Sequence, residues 1–458
     1  MSSLNADDRR LSRSARLAFA LPNLTIAALQ VALTVHLPRY FASHVGLSLM
    51  AVGSAFAMVR AIDIPLDPLL GLAMDRTRSR FGRYRLWALG GPPVLMAALY
   101  VLIHPQARLD EASLVAVLFV MFLGYSAMYL SQLAWAATLA PDYQERSRLF
   151  AIVTASGVVG AVAVLVVPVA MGRLGRSEAQ GIEAMVWFVI LAAPVSALVM
   201  TAFTPERIAP DHARRFGLGD YVRLLLRPNV LRLLASDLFI EMAPGWMAAL
   251  YLYDFTQVRG FSTSAANLLL LIYVAAGFAG APAVCALAER AGKHRALIAA
   301  TSLYALCLLA TPLLPRGAFL WAAPLMFSGG MAAAGFTVML RALTGDIADE
   351  ARLDNGRESI GLIFALTNAT TKLATAAALF LTFHILARLG FDPREGAANA
   401  PAVLRKLELA FLSGPILFVM TGGLCFLGYR LDSDRHAAIR RELDARDLQH
   451  AAAFPDPP

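Results

Sequence analysis

Apolar runs long enough to cross a bilayer recur along the whole chain, separated by loops that are alternately basic and nearly uncharged. A hydrocarbon core of about 30 Å needs about 20 apolar residues in helical conformation. The runs predict helices near 16–40, 47–72, 85–104, 113–139, 148–172 and 181–203. A polar, Arg-rich stretch from Thr204 to Arg232 follows. Six further helices are predicted near 233–255, 263–288, 294–314, 318–343, 357–387 and 404–429. The chain thus divides into a six-helix half at 1–203, a linker at 204–232, a second six-helix half at 233–429 and a tail at 430–458. Within the tail, Asp432 to Arg446 reads as a charged, solvated helix. The predicted class is an all-α membrane protein with twelve transmembrane helices.

Composition makes a soluble alternative untenable. Of 458 residues, 58% are hydrophobic and 16% charged, against roughly 25% charged in soluble domains. The first apolar run is too long for a signal-peptide core and reads as an uncleaved span. Cys285, Cys307 and Cys425 lie inside apolar segments without metal-ligand spacing, so neither a disulfide nor a zinc site is expected.

The net charge of +8 changes the picture only through its distribution. Arg76, Arg78, Arg80, Arg83 and Arg85 lie between spans two and three, and Arg146 and Arg148 between four and five. Six more arginines, from Arg207 to Arg232, fill the linker. Opposite loops such as Phe41–Gly46 and Leu314–Gly317 are short and nearly uncharged. Cytoplasmic loops carry the Lys/Arg excess, so both termini are expected in the cytoplasm. The basic excess is topology, and no nucleic-acid partner is expected.

Ionisable groups inside a bilayer are costly and point to function. Span two carries Arg60, Asp63 and Asp67 in VRAIDIPLDPLLG. Asp63 and Asp67 are four apart and share a helical face, and Arg60 precedes Asp63 by three. Two carboxylates on one face suit a small cation or a shared proton, with carbonyls freed by Pro65 and Pro68 as further ligands. The alternative for Asp67 is capping or pairing with a loop arginine. Lys372 lies deep in span eleven, about 22 Å from its start at the helical rise. Such a lysine needs an acidic partner or water, and Asp63 is the candidate; snorkelling is the alternative. Asp237 and Glu241, four apart in span seven, line either the same cavity or the cytoplasmic mouth.

Asn23, Gln30 and His36 in span one, and Tyr129, Gln132 and Trp135 in span four, combine aromatic faces with hydrogen-bonding groups, as sugar sites do. Interhelical bonding is the competing role for each. No nucleophile elbow, Walker loop, HExxH or dinucleotide motif stands in a suitable context. A gradient-driven carrier is expected, not an enzyme, with no cofactor beyond a coupling ion.

An acidic residue ahead of a basic cluster follows span two (Asp75-Arg76 to Arg85) and span eight (Glu289 to Arg295). This repeated motif resembles the loop motif of the major facilitator superfamily. The run RAIDIPLDPLLGLAMDRTRSRFGRYRLW resembles the span-two signature of the glycoside–pentoside–hexuronide:cation symporters, the melibiose permease family. APDYQERSRLFA and GDIADEARLDNGRESIGLIFALTNATTKLA resemble two further stretches of that family.

The resemblance covers nearly the whole chain. It implies a major facilitator fold with two six-helix halves, in the cell inner membrane. It also implies alternating access and symport of a sugar, glycoside or hexuronide with H⁺ or Na⁺. It carries cation binding onto Asp63 and Asp67, coupling onto Arg60 and Lys372, and gating onto the loop residues Asp75, Arg76, Asp346, Asp349 and Arg357. Asn23, Tyr129, Gln132, Trp135 and Asn368 are the substrate candidates it leaves. The chain also departs from the family. Asn23 stands where the family has a sugar-binding acid, span four holds no acid between Ser113 and Leu139, and Thr154 replaces an arginine. Galactoside specificity and sodium preference therefore do not transfer. Fold analogy implies a monomer among membrane lipids. Two rival roles remain: transport of an amphiphile such as a lysophospholipid, and a non-transporting membrane sensor.

Overall fold

The computed structural model describes residues 11–104, 110–139, 143–206, 224–355, 360–429, 431 and 433–453. Among them stand twelve helices long and apolar enough to cross a membrane. The first six are α1 (Arg13–Val45), α2 (Leu49–Arg76), α3 (Tyr84–Ile103), α4 (Glu111–Leu139), α5 (Tyr143–Arg173) and α6 (Glu178–Phe203). The second six are α7 (Pro228–Val258), α8 (Thr263–Ala291), α9 (Lys293–Leu313), α10 (Phe319–Asn355), α11 (Ile360–Arg388) and α12 (Pro401–Leu424). The tail forms α13 (Ser433–Ala453). Every predicted span is present. Several ends shift by about five residues, among them the start of α7, which lies inside the stretch read as linker, and α10 runs well past 343. Charged residues end a membrane run without ending a helix, and nothing in GDIADEARLDN breaks α10.

Packing divides the chain into two compact units. One comprises Met1–His212, Ala248–Val274 and Leu379–Glu408; the other comprises Ala213–Met247, Ala275–Ala378 and Leu409–Pro458. The boundary of packing is not the boundary of the sequence repeat. The ends of α7, α8, α11 and α12 nearest the 7–8 and 11–12 connections belong with α1–α6. That side, shared with the 1–2 connection, is called distal below.

In the first unit, small residues let backbones meet, as membrane helices require. A Cβ on Gly124 of α4 would lie 2.6 Å from the Leu95 amide nitrogen of α3. Phe19, Trp135, Leu139 and Met200 fill a fully packed cluster of α1, α4 and α6. Glu206 caps α3, accepting from the Arg83 and Tyr84 amides at 2.6 and 2.7 Å. Gly82, at φ +110°, leaves room for that carboxylate.

In the second unit, α7 meets α12 through Ser236 Oγ donating to Gly422 O at 2.8 Å and Trp246 Nε1 to Ala410 O at 2.8 Å. The tail helix corrects the solvated reading. Ile439 and Leu443 are 1% and 3% exposed, while His436 and Arg440 contact Asp349 of α10 at 3.1 and 3.5 Å. Arg446 Nη1 donates to Leu353 O at 2.8 Å. Residues 436, 439, 440, 443 and 446 fall on one face of the helix, and that face is docked on α10.

The 1–2 and 7–8 turns share one backbone. α1 ends in a π-helical turn, Phe41–Val45, and α7 in another, Asp254–Val258. Gly46 (φ 85°) and Gly260 (φ 72°) follow. Leu47 N donates to Phe41 O at 3.0 Å, and Phe261 N to Phe255 O at 2.9 Å. Ser48 and Ser262 then cap the next helix through the Ala51 and Ala265 amides, at 3.1 and 3.2 Å. The repeat read from the basic loops thus recurs in backbone geometry at the opposite ends of the spans.

Candidate functional site

α2 stays helical through Pro65 and Pro68, so Arg60, Asp63 and Asp67 succeed one another along one side of it. Asp63 is 1% exposed. Arg60 Nη1 donates to its Oδ2 at 3.2 Å, and Ser126 Oγ of α4 donates to its Oδ1 at 3.0 Å. The Arg60 guanidinium also lies 4.1 Å from the centroid of the Phe122 ring, a favourable place for a desolvated cation. Both charges are therefore held without bulk water. Asp67, one turn on, is half-buried.

The α4 side of the site is a stripe at helical spacing: Phe122, Tyr125, Ser126 and Tyr129. Tyr125 and Tyr129 stack in parallel, with centroids 5.9 Å apart at 13°. Gln30 Nε2 of α1 donates to Tyr125 Oη at 2.7 Å. Phe122, Tyr125 and Ser126 escaped the sequence reading. The signal was their i, i+3, i+4 relation to one another and to Tyr129, but aromatic residues in a span offer no contrast with their surroundings.

Three other substrate candidates are engaged in packing. Asn23 Nδ2 donates to Val153 O of α5 at 2.7 Å, and Gln132 Nε2 to Phe19 O of α1 at 2.7 Å. Trp135 is 0% exposed. Its Nε1 donates to Pro205 O at 3.2 Å, and Phe19 meets it edge-on at 6.0 Å. No face of that indole is open to a solute. Tyr129 and Asn368 are half-buried.

Lys372, 8% exposed, belongs to the second unit. The adjacent Thr371 donates from Oγ1 to Asp237 Oδ2 of α7 at 3.1 Å. Asp237 is 6% exposed, and Arg341 of α10 acts electrostatically on both Asp237 and Glu241. Buried charge of both signs thus stands on α7 and α11, at Asp237 and Lys372, with the exposed Arg341 of α10 acting on the acids.

Asp346 and Asp349 were expected on a loop; they stand on the extension of α10. The helix continues because both acids find cationic partners one turn apart. Lys293 Nζ approaches the two Asp346 oxygens at 2.6 and 2.8 Å, and His436 lies 3.4 Å from Asp346. Nearby Tyr429 has its phenol pushed up by burial and by the Asp346 and Glu350 carboxylates. Asp75 and Arg76 are exposed at the end of α2. Arg357 lies outside the described residues.

Comparison with known proteins gives the family and the fold. The family model described as MFS/sugar transport protein matches residues 18–433. The chain is 22% identical over 98% of its length to the uncharacterized symporter YnaJ of Bacillus subtilis (strain 168), covering 99% of that protein. It is 24% identical over 92% of its length to the putative glycoside/cation symporter YagG of Escherichia coli (strain K12), covering 93% of it. Among solved structures, the nucleoside transporter NupG superposes with a TM-score of 0.65 at 13% identity, over 91% of this chain and 99% of that one; at that identity the likeness is one of fold. Twelve apolar helices, a buried ion pair in α2 and a family match over nine-tenths of the sequence converge on a multi-pass membrane transporter with the major facilitator fold, and the chain belongs to the MFS/sugar transport family.

Proposed function

We propose that this carrier moves a sugar, glycoside or hexuronide inward with a proton, in the cell inner membrane, with both termini in the cytoplasm. Sugar transport in the family description, and the names of YagG and of the inner membrane symporter YicJ of Escherichia coli (strain K12), support the solute class and the membrane. The basic loops support the orientation. One observation carries the mechanism: Asp63 is buried with a guanidinium already at its carboxylate.

That guanidinium selects the coupling ion. A Na⁺ at Asp63 would sit close to Arg60, and two like charges ~4 Å apart repel by about 4 kcal/mol at an effective dielectric of 20. A proton needs no such space. It adds to an Asp63 oxygen, removes the negative charge and leaves Arg60 over the Phe122 ring. The freed guanidinium and the Gln30–Tyr125–Tyr129 group then present donors and aromatic faces to a polyhydroxylated solute, or to a uronate carboxylate. Linkage requires the reverse as well: bound solute engages Arg60 and so favours protonation of Asp63. Lys372, with Asp237 and Thr371, supplies a buried charge of the second unit in this scheme, and Asp67 the next acceptor along α2.

The test is uptake into proteoliposomes of lactose, a xyloside and a glucuronide under imposed gradients. An inward proton gradient is expected to drive accumulation of one of them in the absence of Na⁺. Accumulation that follows a sodium gradient at fixed pH would overturn proton coupling. Accumulation of none, with stabilisation by lysolipids alone, would overturn the solute class.

A further inference from the structure

We infer that Arg39 of α1 and Tyr253 of α7 form the central contact of the distal gate, a junction built to part cheaply each time the carrier admits its solute. The inference rests on the carrier reading above, and it is drawn entirely from contacts within the first unit.

The segment Leu37–Tyr40 lies between two π-helical turns of α1, Ala32–His36 and Phe41–Val45. Each such turn re-aims the residues beyond it, and such turns recur at functional sites. Arg39, 8% exposed, pairs with Glu178 at the start of α6: Nε lies 2.8 Å from Oε1, and Nη2 donates to Oε2 at 3.2 Å. Its guanidinium also lies 4.7 Å from the centroid of the Tyr253 ring. Tyr253 is fully buried, with Phe391 edge-on at 5.1 Å. Its hydroxyl lies 3.3 Å from Ser43 Oγ, which donates to Pro393 O at 2.6 Å. His44 Nδ1 lies 3.5 Å from Glu395 Oε2.

Sorting these contacts by sequence repeat reveals their logic. The Arg39–Glu178 ion pair, with its charge-assisted hydrogen bond, lies within the first repeat. A second buried network, Arg259 with Asp254 at 3.1 Å and Glu408 at 2.9 Å, lies within the second. Contacts that cross from one repeat to the other are of weaker kinds: guanidinium on ring, hydroxyl to hydroxyl, hydroxyl to carbonyl. The charged crossing His44–Glu395 has a carboxylate that is 64% exposed, and exposed pairs contribute little. Charge-assisted hydrogen bonds are about twice as strong as neutral ones. The strong contacts therefore keep each repeat intact while the weak ones let the two separate. Separation leaves Arg39 still neutralised by Glu178, so no bare charge is stranded.

Labelling of a single cysteine tests the gate without a solute or an ion. Ala42→Cys places a thiol in the distal π turn, at a site 1% exposed in the parent, in a background where Cys285, Cys307 and Cys425 are replaced by serine. In right-side-out vesicles, a membrane-impermeant maleimide is expected to react about tenfold faster once Tyr253→Leu removes the ring, and twofold to threefold faster with Tyr253→Phe, which keeps it. Equal rates in parent and Tyr253→Leu would overturn the inference.

Should Tyr253→Leu not reach the membrane, cross-linking gives a second reading. With His44→Cys and Glu395→Cys added to the Ala42→Cys protein, oxidation is expected to abolish both maleimide labelling at position 42 and uptake, and reduction to restore both. Labelling that persists in the cross-linked protein would overturn the gate. Labelling abolished while uptake was absent before oxidation would count against the carrier reading alone.

Discussion

Two buried aspartate–arginine pairs in one packing unit sit in different surroundings. Arg60–Asp63 forms within α2, three residues apart, with the Ser126 hydroxyl and the Phe122 ring of α4 set against it. Arg259–Asp254 also forms within one stretch of chain, yet the same guanidinium reaches Glu408 of α12 at 2.9 Å. Asp63 and Asp254 are 1% and 0% exposed, so burial does not separate them. What separates them is what breaks with the pair. Neutralising Asp63 leaves α2 and α4 packed and Arg60 on an aromatic ring; neutralising Asp254 loosens the anchor between α7 and α12. The coupling proposed for Asp63 requires a pair whose rupture the tertiary fold survives.

The largest effect is expected at the anchoring pair. Arg259→Gln leaves the Asp254 carboxylate in an apolar setting, and breaking a buried pair by removing one partner costs about 3–5 kcal/mol. Thermal unfolding of the purified protein should show a fall in melting temperature of several degrees, with little protein reaching the membrane. A variant as stable as the parent would erase the distinction between the pairs. Asp63→Asn comes next, and its effect is on transport: proton-driven uptake is expected to fall at least a hundredfold, while solute still raises the melting temperature by mass action. Coupled uptake at the parental rate would remove Asp63 from the mechanism.

Ser126→Ala probes the coupling pair more finely. The hydroxyl stabilises the ionised carboxylate, and hydrogen bonds to charged groups are worth about 1.5–3 kcal/mol. Without it the carboxylate loses its partner on α4, so proton-driven uptake should fall about tenfold. Uptake at the parental rate would mean that Ser126 donates elsewhere when the carrier works.

Much of this contrast was legible before folding. Asp63 and Arg60 stand out because charges inside an apolar run are rare, and the twelve spans follow from run length alone. The α4 stripe did not stand out, since Phe122 and Tyr125 look like any lipid-facing residue, and Trp135 reads the same whether it lines a cavity or fills a core. The extension of α10 was misplaced because loss of hydropathy marks the edge of the bilayer, not the end of a helix. The tail helix looked solvated because the two residues that seat it, Ile439 and Leu443, are outnumbered by charges. Asp254 was passed over for a related reason: it sits at the end of an apolar run, beside a connection, and only folding brings Glu408 to Arg259.

The smallest effect calibrates the scale from the exposed end. Asp110 stands before α4 and accepts from the Ser113 amide at 2.9 Å. Bonds to the side chain and backbone of Ser113 hold its carboxyl below the usual range. A carboxylate with a lowered folded-state pKa stabilises above the unfolded value, and that contribution disappears as pH falls through the folded value. Asp110→Ala should therefore lower the melting temperature by about 1–2 °C or less at neutral pH, and by nothing in acid below the folded-state pKa. Uptake should be unchanged at every pH. If this exposed cap proved as costly to lose as Arg259, stability here would depend on carboxylate pairing as such, and the contrast between an anchoring and a coupling pair would have to rest on transport alone.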